Sequence, residues 1–373
     1  MEKYRVVYMR GGTSKALVFR KEDLPQDKNQ WDEIFLKAMG TPDPKQIDGM
    51  GGCTSSTSKI AVISPSERPD IDVDYTFFQV SIDVPSIAKN VNCGNISSVV
   101  GPFAIDEGMV KVEEPKTLVR IYNTNTDKVM EETVCVEDGK AAVYGDEAIF
   151  GVPGMGSRID ETFCAPGGSM TGKTFPTGKV REMMSVPGWK DIEVSIVDAA
   201  TTVVFVKAED VGLKGTELGE LANMKDAMER LGTIRGLAAV RCGFVDKWED
   251  AWEKTPAAPD VVIVSAPQSF TSMDKQMIAA SNMDVCARAL SMMQVHKAFP
   301  VTDSIATGTA AATPGTVVYD VVSEHAKKSG HVDIGHPSGL FPVTVKVNDK
   351  GEVEKATVVR TARRIMEGMI YIR

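Results

Sequence analysis

The sequence has no pair of cysteines at C-x-x-C spacing; its six cysteines (53, 93, 135, 164, 242 and 286) are scattered along 373 residues. That pattern argues against a zinc ribbon or a compact disulfide framework and fits reduced thiols in a cytoplasmic protein. Only four histidines occur, at 296, 325, 331 and 336, without the second ligand cluster a metal site needs, so no metal is expected. No apolar run approaches the ~18 residues of a membrane-spanning helix, and residues 4–8 read as a strand rather than as the core of a signal peptide. No basic cluster interrupts a net charge of −9, which argues against a nucleic-acid partner. What remains, 43% hydrophobic and 25% charged residues, suits a soluble globular protein of enzyme size, long enough for two domains.

What is present centres on Asn92-Cys93-Gly94-Asn95-Ile96-Ser97-Ser98-Val99-Val100-Gly101-Pro102. Ile96, Val99, Val100 and Phe103 recur at i, i+3, i+4, i+7, which predicts a short buried helix with Asn92 as its cap and Cys93 to Asn95 in its first turn. A helix N-terminus offers unpaired N–H groups and a positive dipole end, which attract a carboxylate and favour a thiolate. Cys93 thus reads as a candidate acid or base beside an anion cradle, or, more plainly, as a small apolar filler.

Two further stretches point the same way. Residues 4–8 and 16–19 predict a hairpin whose Gly-rich tip, with Gly12, Thr13 and Ser14, can bring N–H groups to a ligand or serve as an ordinary turn. The small-residue loop 48–58 delivers Lys59 to the start of an apolar strand. In a dry pocket such a lysine can act as a base; on a flexible loop it is a solvated cation. Residues 167–174 match the phosphate-loop pattern G-x-x-x-x-G-K-[ST], yet Pro176 and Gly178 break the helix that must follow, so nucleotide hydrolysis is not expected.

Helices are expected over 30–39, 217–238 and 279–294, and residues 185–190 suggest an interdomain connection. Beyond it, residues 302–313 repeat the character of the Cys93 helix, with Pro314 taken as the counterpart of Pro102. This copy carries Ser304, Thr307 and Thr309, with Gly308, but no cysteine. Two half-molecules, each pointing a helix N-terminus at the middle, would build one anion site between them.

Met9-Arg10-Gly11-Gly12-Thr13-Ser14-Lys15, the loop ending in Lys59, the Asn92-Cys93-Gly94-Asn95 turn, Gly335-His336-Pro337-Ser338-Gly339 and Arg360-Thr361-Ala362-Arg363-Arg364 together resemble the 2-methylaconitate isomerase (PrpF) family. That group includes 3-methylitaconate Δ-isomerase and 4-oxalomesaconate tautomerase. The resemblance implies an α+β, diaminopimelate-epimerase-like fold of two pseudo-repeated domains, each a β-roll around a central helix, with the active site between them. The domains are expected at 1–185, joined by the returning strand 365–373, and at 186–364. It further implies a cofactor-independent isomerase, forming a homo-oligomer, that shifts or re-orients the double bond of a branched unsaturated di- or tricarboxylate. Lys59 and Cys93 are then the catalytic candidates. Gly12, Thr13, Ser14, Asn92, Gly94, Asn95, His296, Ser304, Thr307, Gly308 and Thr309 are the substrate-binding candidates, with His336 a weaker one. The missing second cysteine argues against the two-base epimerisation of an amino acid known in the wider superfamily. A keto-enol tautomerase of the oxalomesaconate type, an amino-acid racemase and a non-catalytic carboxylate-binding protein are the alternatives.

Overall fold

The computed structural model describes residues 1–89, 92–348 and 352–373. The chain divides into two compact units, residues 1–162 with 359–373, and residues 163–358.

In the first unit, Glu2–Gly11 and Ser14–Arg20 form an antiparallel hairpin in which Gly11 faces Ser14. Ser14–Arg20 runs parallel to Lys59–Pro65, which pairs antiparallel with Val73–Val80. Val73–Val80 is parallel to Lys116–Asn123, and that strand turns back antiparallel into Lys128–Glu137. The last strand, Ala362–Ile372, lies antiparallel to the first. Two short helical segments, Gly94–Ser97 and Val100–Asp106, pack against strands from both ends of this sheet. Ile96, Val99, Val100 and Phe103 are all fully buried there, as their spacing predicts. On the other face lies the amphipathic helix Trp31–Met39, whose Trp31, Ile34, Phe35 and Met39 cover Phe19, Ile60 and Phe78. Gly40 ends it in the left-handed conformation at φ +77°, where a side chain is strained.

The second unit repeats the order of pairings. Asp191–Ala199 and Thr201–Lys207 are antiparallel, Thr201–Lys207 is parallel to Asp260–Ser265, and that strand is antiparallel to Val285–Ser291. Val285–Ser291 is parallel to His331–His336, which turns back into Gly339–Val347. The helix Val301–Ala312 falls between the fourth and fifth of these strands, where the first unit has its helical pair. Each unit is thus a β-roll around a central helix, and the chain has the epimerase-like fold.

Several details differ from expectation. The boundary falls at 162/163, not 185/186, because Glu182–Ser185 pairs antiparallel with Asp191–Ala199, making 185–190 a turn inside one strand pair. Residues 279–294 hold the strand Val285–Ser291 rather than a helix. Its first six residues are all buried between two strand neighbours, and such a strand loses the alternation that marks half-exposed ones. The helix expected at 217–238 runs from Lys225 to Arg241. Pro102 is the third residue of its helical segment, where a missing N–H costs nothing, whereas Pro314 follows its helix, so the two prolines are not counterparts.

Candidate functional site

In the first unit the hairpin tip is locked to the start of the Cys93 helix. Thr13 donates its backbone N–H to Asn95 Oδ1 (3.3 Å), and Asn95 Nδ2 donates back to Thr13 Oγ1 (3.2 Å). Only glycine fits at the tip: a Cβ on Gly12, at φ +47°, would lie 2.0 Å from Asn95 Oδ1, and one on Gly11 would lie 2.3 Å from the Asn95 carbonyl oxygen. The Gly12 N–H donates to the Thr361 carbonyl (3.0 Å), while Ser14 is buried in the strand ladder. The structure therefore brings Gly12, Thr13 and Asn95 together, with the N–H groups of Gly12 and Thr13 already bonded within the protein.

Cys93, half-buried, is the cap residue, with extended backbone at φ −134°, and its own side chain makes no cap hydrogen bond. Asn92 precedes the cap instead of forming it. Its Oδ1 accepts from the Cys93 N–H (2.8 Å) and from Asn123 Nδ2 (2.9 Å). The first N–H groups of the turn, those of Gly94 and Asn95, belong to the set a helix leaves without an intrahelical partner.

Lys59 begins its strand and is 7% exposed. Its Nζ donates to Gln79 Oε1 (2.5 Å), directly across the strand pair, and lies 5.1 Å from the centre of the Phe77 ring. Gln79 Nε2 in turn donates to the carbonyls of Ser55 (3.1 Å) and Ser58 (3.0 Å), which turns its oxygen towards the ammonium. The loop before Lys59 is held by Gln46, which donates to Ser58 Oγ (2.8 Å) and accepts from the Cys53 N–H (2.9 Å).

Behind the Cys93 helix lies a group of buried polar side chains that the sequence reading missed. Glu132 and Glu161 occupy inward positions of alternating strands and are fully buried. Glu132 Oε2 accepts from the Gly101 N–H (2.7 Å), and a Cβ on Gly101 would sit 2.5 Å from that oxygen. Burial pushes the Glu161 carboxyl up to about 8 and Glu132 well above the carboxylate range. Burial also lowers the Arg360 guanidinium to about 10, with Glu161 and Cys93 acting in the opposite direction. The available signal was a glutamate at every-other-residue spacing among apolar inward positions.

In the second unit the predicted binding residues lie inside packed structure. Ser304 and Thr307 are buried in the body of Val301–Ala312 and donate their hydroxyls to the carbonyls of Val301 and Asp303 (both 2.7 Å). Gly308 makes room for a strand, since its Cβ would lie 2.7 Å from a Val345 methyl. Thr309 is buried, and its hydroxyl has no partner among the described residues. His296 and His336 each accept a backbone N–H two residues on, from Ala298 and Ser338 (both 3.2 Å), and His336 is enclosed by Phe299 and Phe341. The Asp260 and Asp303 carboxyls are also fully buried. Burial raises Asp260 to about 7 and Asp303 well above the usual range. The loop 167–174 offers no phosphate cradle: Asp198 already accepts from the N–H groups of Met170 (2.9 Å) and Thr171 (2.6 Å) and from the Thr171 hydroxyl (2.7 Å). Among the described residues, no group of three or more His, Cys, Asp and Glu side chains is placed to hold a metal, and no helix is long and apolar enough to cross a membrane.

The sequence profile of the PrpF protein family matches residues 1–373. The chain is 45% identical over 368 residues to a 3-methylitaconate isomerase of Eubacterium barkeri, covering 98% of this chain and 96% of that one. It is 37% identical to a 2-methyl-aconitate isomerase of Shewanella oneidensis, covering 99% and 97%. Among solved structures, a methylitaconate-delta-isomerase superposes with a TM-score of 0.89 at 44% identity, covering 100% of this chain and 96% of that one.

Proposed function

The chain belongs to the PrpF family, and on that premise we propose that it isomerises a branched, unsaturated dicarboxylate of the methylitaconate type, with Lys59 moving the proton. The enzyme class is that of the relatives: it is an isomerase that moves or re-orients a double bond. The observation that carries the mechanism is the setting of Lys59, whose buried Nζ donates to a neutral amide oxygen and lies over an aromatic face.

In this reading Lys59, as the neutral amine, takes a proton from the carbon allylic to the double bond and becomes the ammonium that can give it back. The charge spreads into a dienolate, and the proton returns at the other end of the conjugated system. The N–H groups of Gly94 and Asn95 hold one substrate carboxylate and stabilise the charge as it develops, since donors fixed in advance need no reorganisation. Cys93 returns the proton or positions the carbon skeleton. Gly12 and Thr13 act through Asn95 by fixing its place. Ser304 and Thr307 are not carried forward as carboxylate donors, because their hydroxyl protons are engaged in their own helix. The chemistry is proposed to need no cofactor.

The test is proton NMR in deuterated water with 3-methylitaconate, 2-methylaconitate and 4-oxalomesaconate, run on the wild type and on Lys59→Ala. Conversion of methylitaconate with deuterium uptake, lost in the variant, is the expected result. Exchange that survives the substitution moves the base to Cys93, and turnover of oxalomesaconate alone replaces the substrate class.

A further inference from the structure

Lys59 and Cys93 belong to different elements, and a reaction that moves one proton between two carbons needs its proton carriers held at fixed places. The first unit contains a path of amide hydrogen bonds from the backbone of Phe77, whose ring lies beside Lys59, to the Cys93 N–H. It starts at Phe77, whose ring lies against Lys59 Nζ and which shares a strand with Gln79. The Asn125 side chain brackets Phe77, with Oδ1 accepting from its N–H (2.8 Å) and Nδ2 donating to its carbonyl (2.8 Å), much as a neighbouring strand would. The Asn125 N–H donates to Asn123 Oδ1 (2.9 Å), and Asn123 Nδ2 donates to Asn92 Oδ1 (2.9 Å), the same oxygen that accepts from the Cys93 N–H (2.8 Å).

Every amide orientation along this path is fixed by its partners. Turning the Asn123 side chain over would set its NH₂ against the Asn125 N–H and its oxygen against that of Asn92. Turning Asn125 would break both bonds to Phe77. Aspartate fails at 123 for the same reason, since it cannot donate to Asn92. Asn123 is fully buried, so a lost partner there is not replaced by water.

We propose that Asn123 and Asn125 are positioning residues for the isomerisation, holding the Cys93 turn and the strand beside Lys59 in one fixed relation. The proposal rests on the reading of Lys59 and Cys93 as proton carriers. Neither asparagine touches substrate in this scheme; each acts through Asn92 or Phe77.

The experiment compares Asn123→Ala and Asn125→Ala with Lys59→Ala and Cys93→Ser, using 3-methylitaconate as substrate. The second readout is the rate of Cys93 alkylation by iodoacetamide, followed on its own peptide by mass spectrometry. Displacement of a catalytic group by about 1 Å costs up to about 10²-fold in rate. The expected result is a fall of about 10- to 100-fold in kcat for Asn123→Ala, with KM within about threefold and Cys93 alkylation altered more than about threefold. Asn125→Ala, at a half-buried position, should lower kcat in the same direction if Asn123→Ala does not fold. Wild-type kcat in both folded asparagine variants, with activity lost in Lys59→Ala and Cys93→Ser, overturns the positioning role alone. Full activity in Lys59→Ala and Cys93→Ser overturns the site reading beneath it. A fall in stability with kcat and alkylation both unchanged reduces the amide path to packing and overturns the proposal.

Discussion

The third strand of each unit opens with an ionisable residue, Lys59 in the first and Asp260 in the second. Each strand is parallel to the second arm of its hairpin and antiparallel to the strand that follows, so the two residues hold matching places in matching rolls. Their surroundings differ. Lys59 meets a neutral glutamine that other carbonyls orient, whereas Asp260 meets Ser291, Arg235 and a second carboxyl, Asp303. The central helices diverge in parallel. In the first unit it breaks into two short segments opened by Cys93, and in the second it runs twelve residues from the Pro300 cap, with its hydroxyls turned onto its own carbonyls. Duplicated topology thus leaves room for the two copies to build their central helices differently, broken and opened by a cysteine in one, continuous and hydroxyl-lined in the other.

The largest expected effect tests that asymmetry. Lys59→Ala should reduce kcat by about 10²–10⁴, the range of a general base, and leave thermal stability close to wild type. Asp260→Asn, at the matching place, should leave kcat within about threefold while changing stability and its pH dependence. A loss of activity in Asp260→Asn comparable to that in Lys59→Ala would mean that both copies carry chemistry.

Next in size are the two buried carboxyl pairs. The Glu161 carboxyl, raised by burial from the usual 4.5 to about 8, keeps its proton in the native state over a range where the unfolded chain has lost it. The native state then binds more protons than the unfolded one, so stability is greatest below about 4.5 and falls as pH rises towards 8. Asp260 acts with the same sign over a window that ends near 7. The effect is on the order of a few kcal/mol for each group. Glu161→Gln should flatten the fall between about pH 5 and 8 in urea unfolding. Glu107, held down to about 2 by the Arg5 and Arg364 guanidinium groups, works the other way and loses its contribution only in strong acid. An unchanged pH slope in Glu161→Gln would remove the buried proton from the account.

How much of this was legible in the letters depended on whether the signal was local. The apolar spacing of Ile96, Val99, Val100 and Phe103 is local, and the structure uses it as the pattern implies; the glycines at 11 and 12 are local too, but they make room for Asn95. The strand Val285–Ser291 was misread because burial on both faces erases alternation. Gln79, Asn123 and Asn125 stayed invisible because their roles depend on which strand lies alongside, a property of the fold that no single segment carries. Ser304 and Thr307 drew attention as hydroxyls on a repeat of the Cys93 helix. The letters could not tell a hydroxyl aimed at a ligand from one bonded to the carbonyl one turn back.

A smaller effect is expected at Gly308, which separates packing from binding in the second helix. Alanine normally favours a helix by up to about 1 kcal/mol over glycine. Here the new methyl meets Val345 at 2.7 Å and Val343 at 3.2 and 3.3 Å, branched side chains with little freedom to turn away. Overpacking of about 1–3 kcal/mol outweighs the propensity gain, so Gly308→Ala should lower Tm with KM unchanged. A raised KM at constant Tm would return Gly308 to the substrate.

The smallest effect is expected at Thr309, whose hydroxyl is buried without a partner among the described residues. Valine has nearly the same shape and replaces that hydroxyl with a methyl. Removing an unpaired buried polar group is neutral or favourable, so Thr309→Val should leave Tm unchanged or raise stability by up to about 1 kcal/mol. If the second helix only packs, KM for 3-methylitaconate stays within about twofold. If Thr309 holds a substrate carboxylate, valine deletes a hydrogen bond to a charged group, worth about 1.5–3 kcal/mol, and KM rises by about tenfold or more with Tm unchanged. That one substitution decides whether the helix of the second unit holds substrate or only packs.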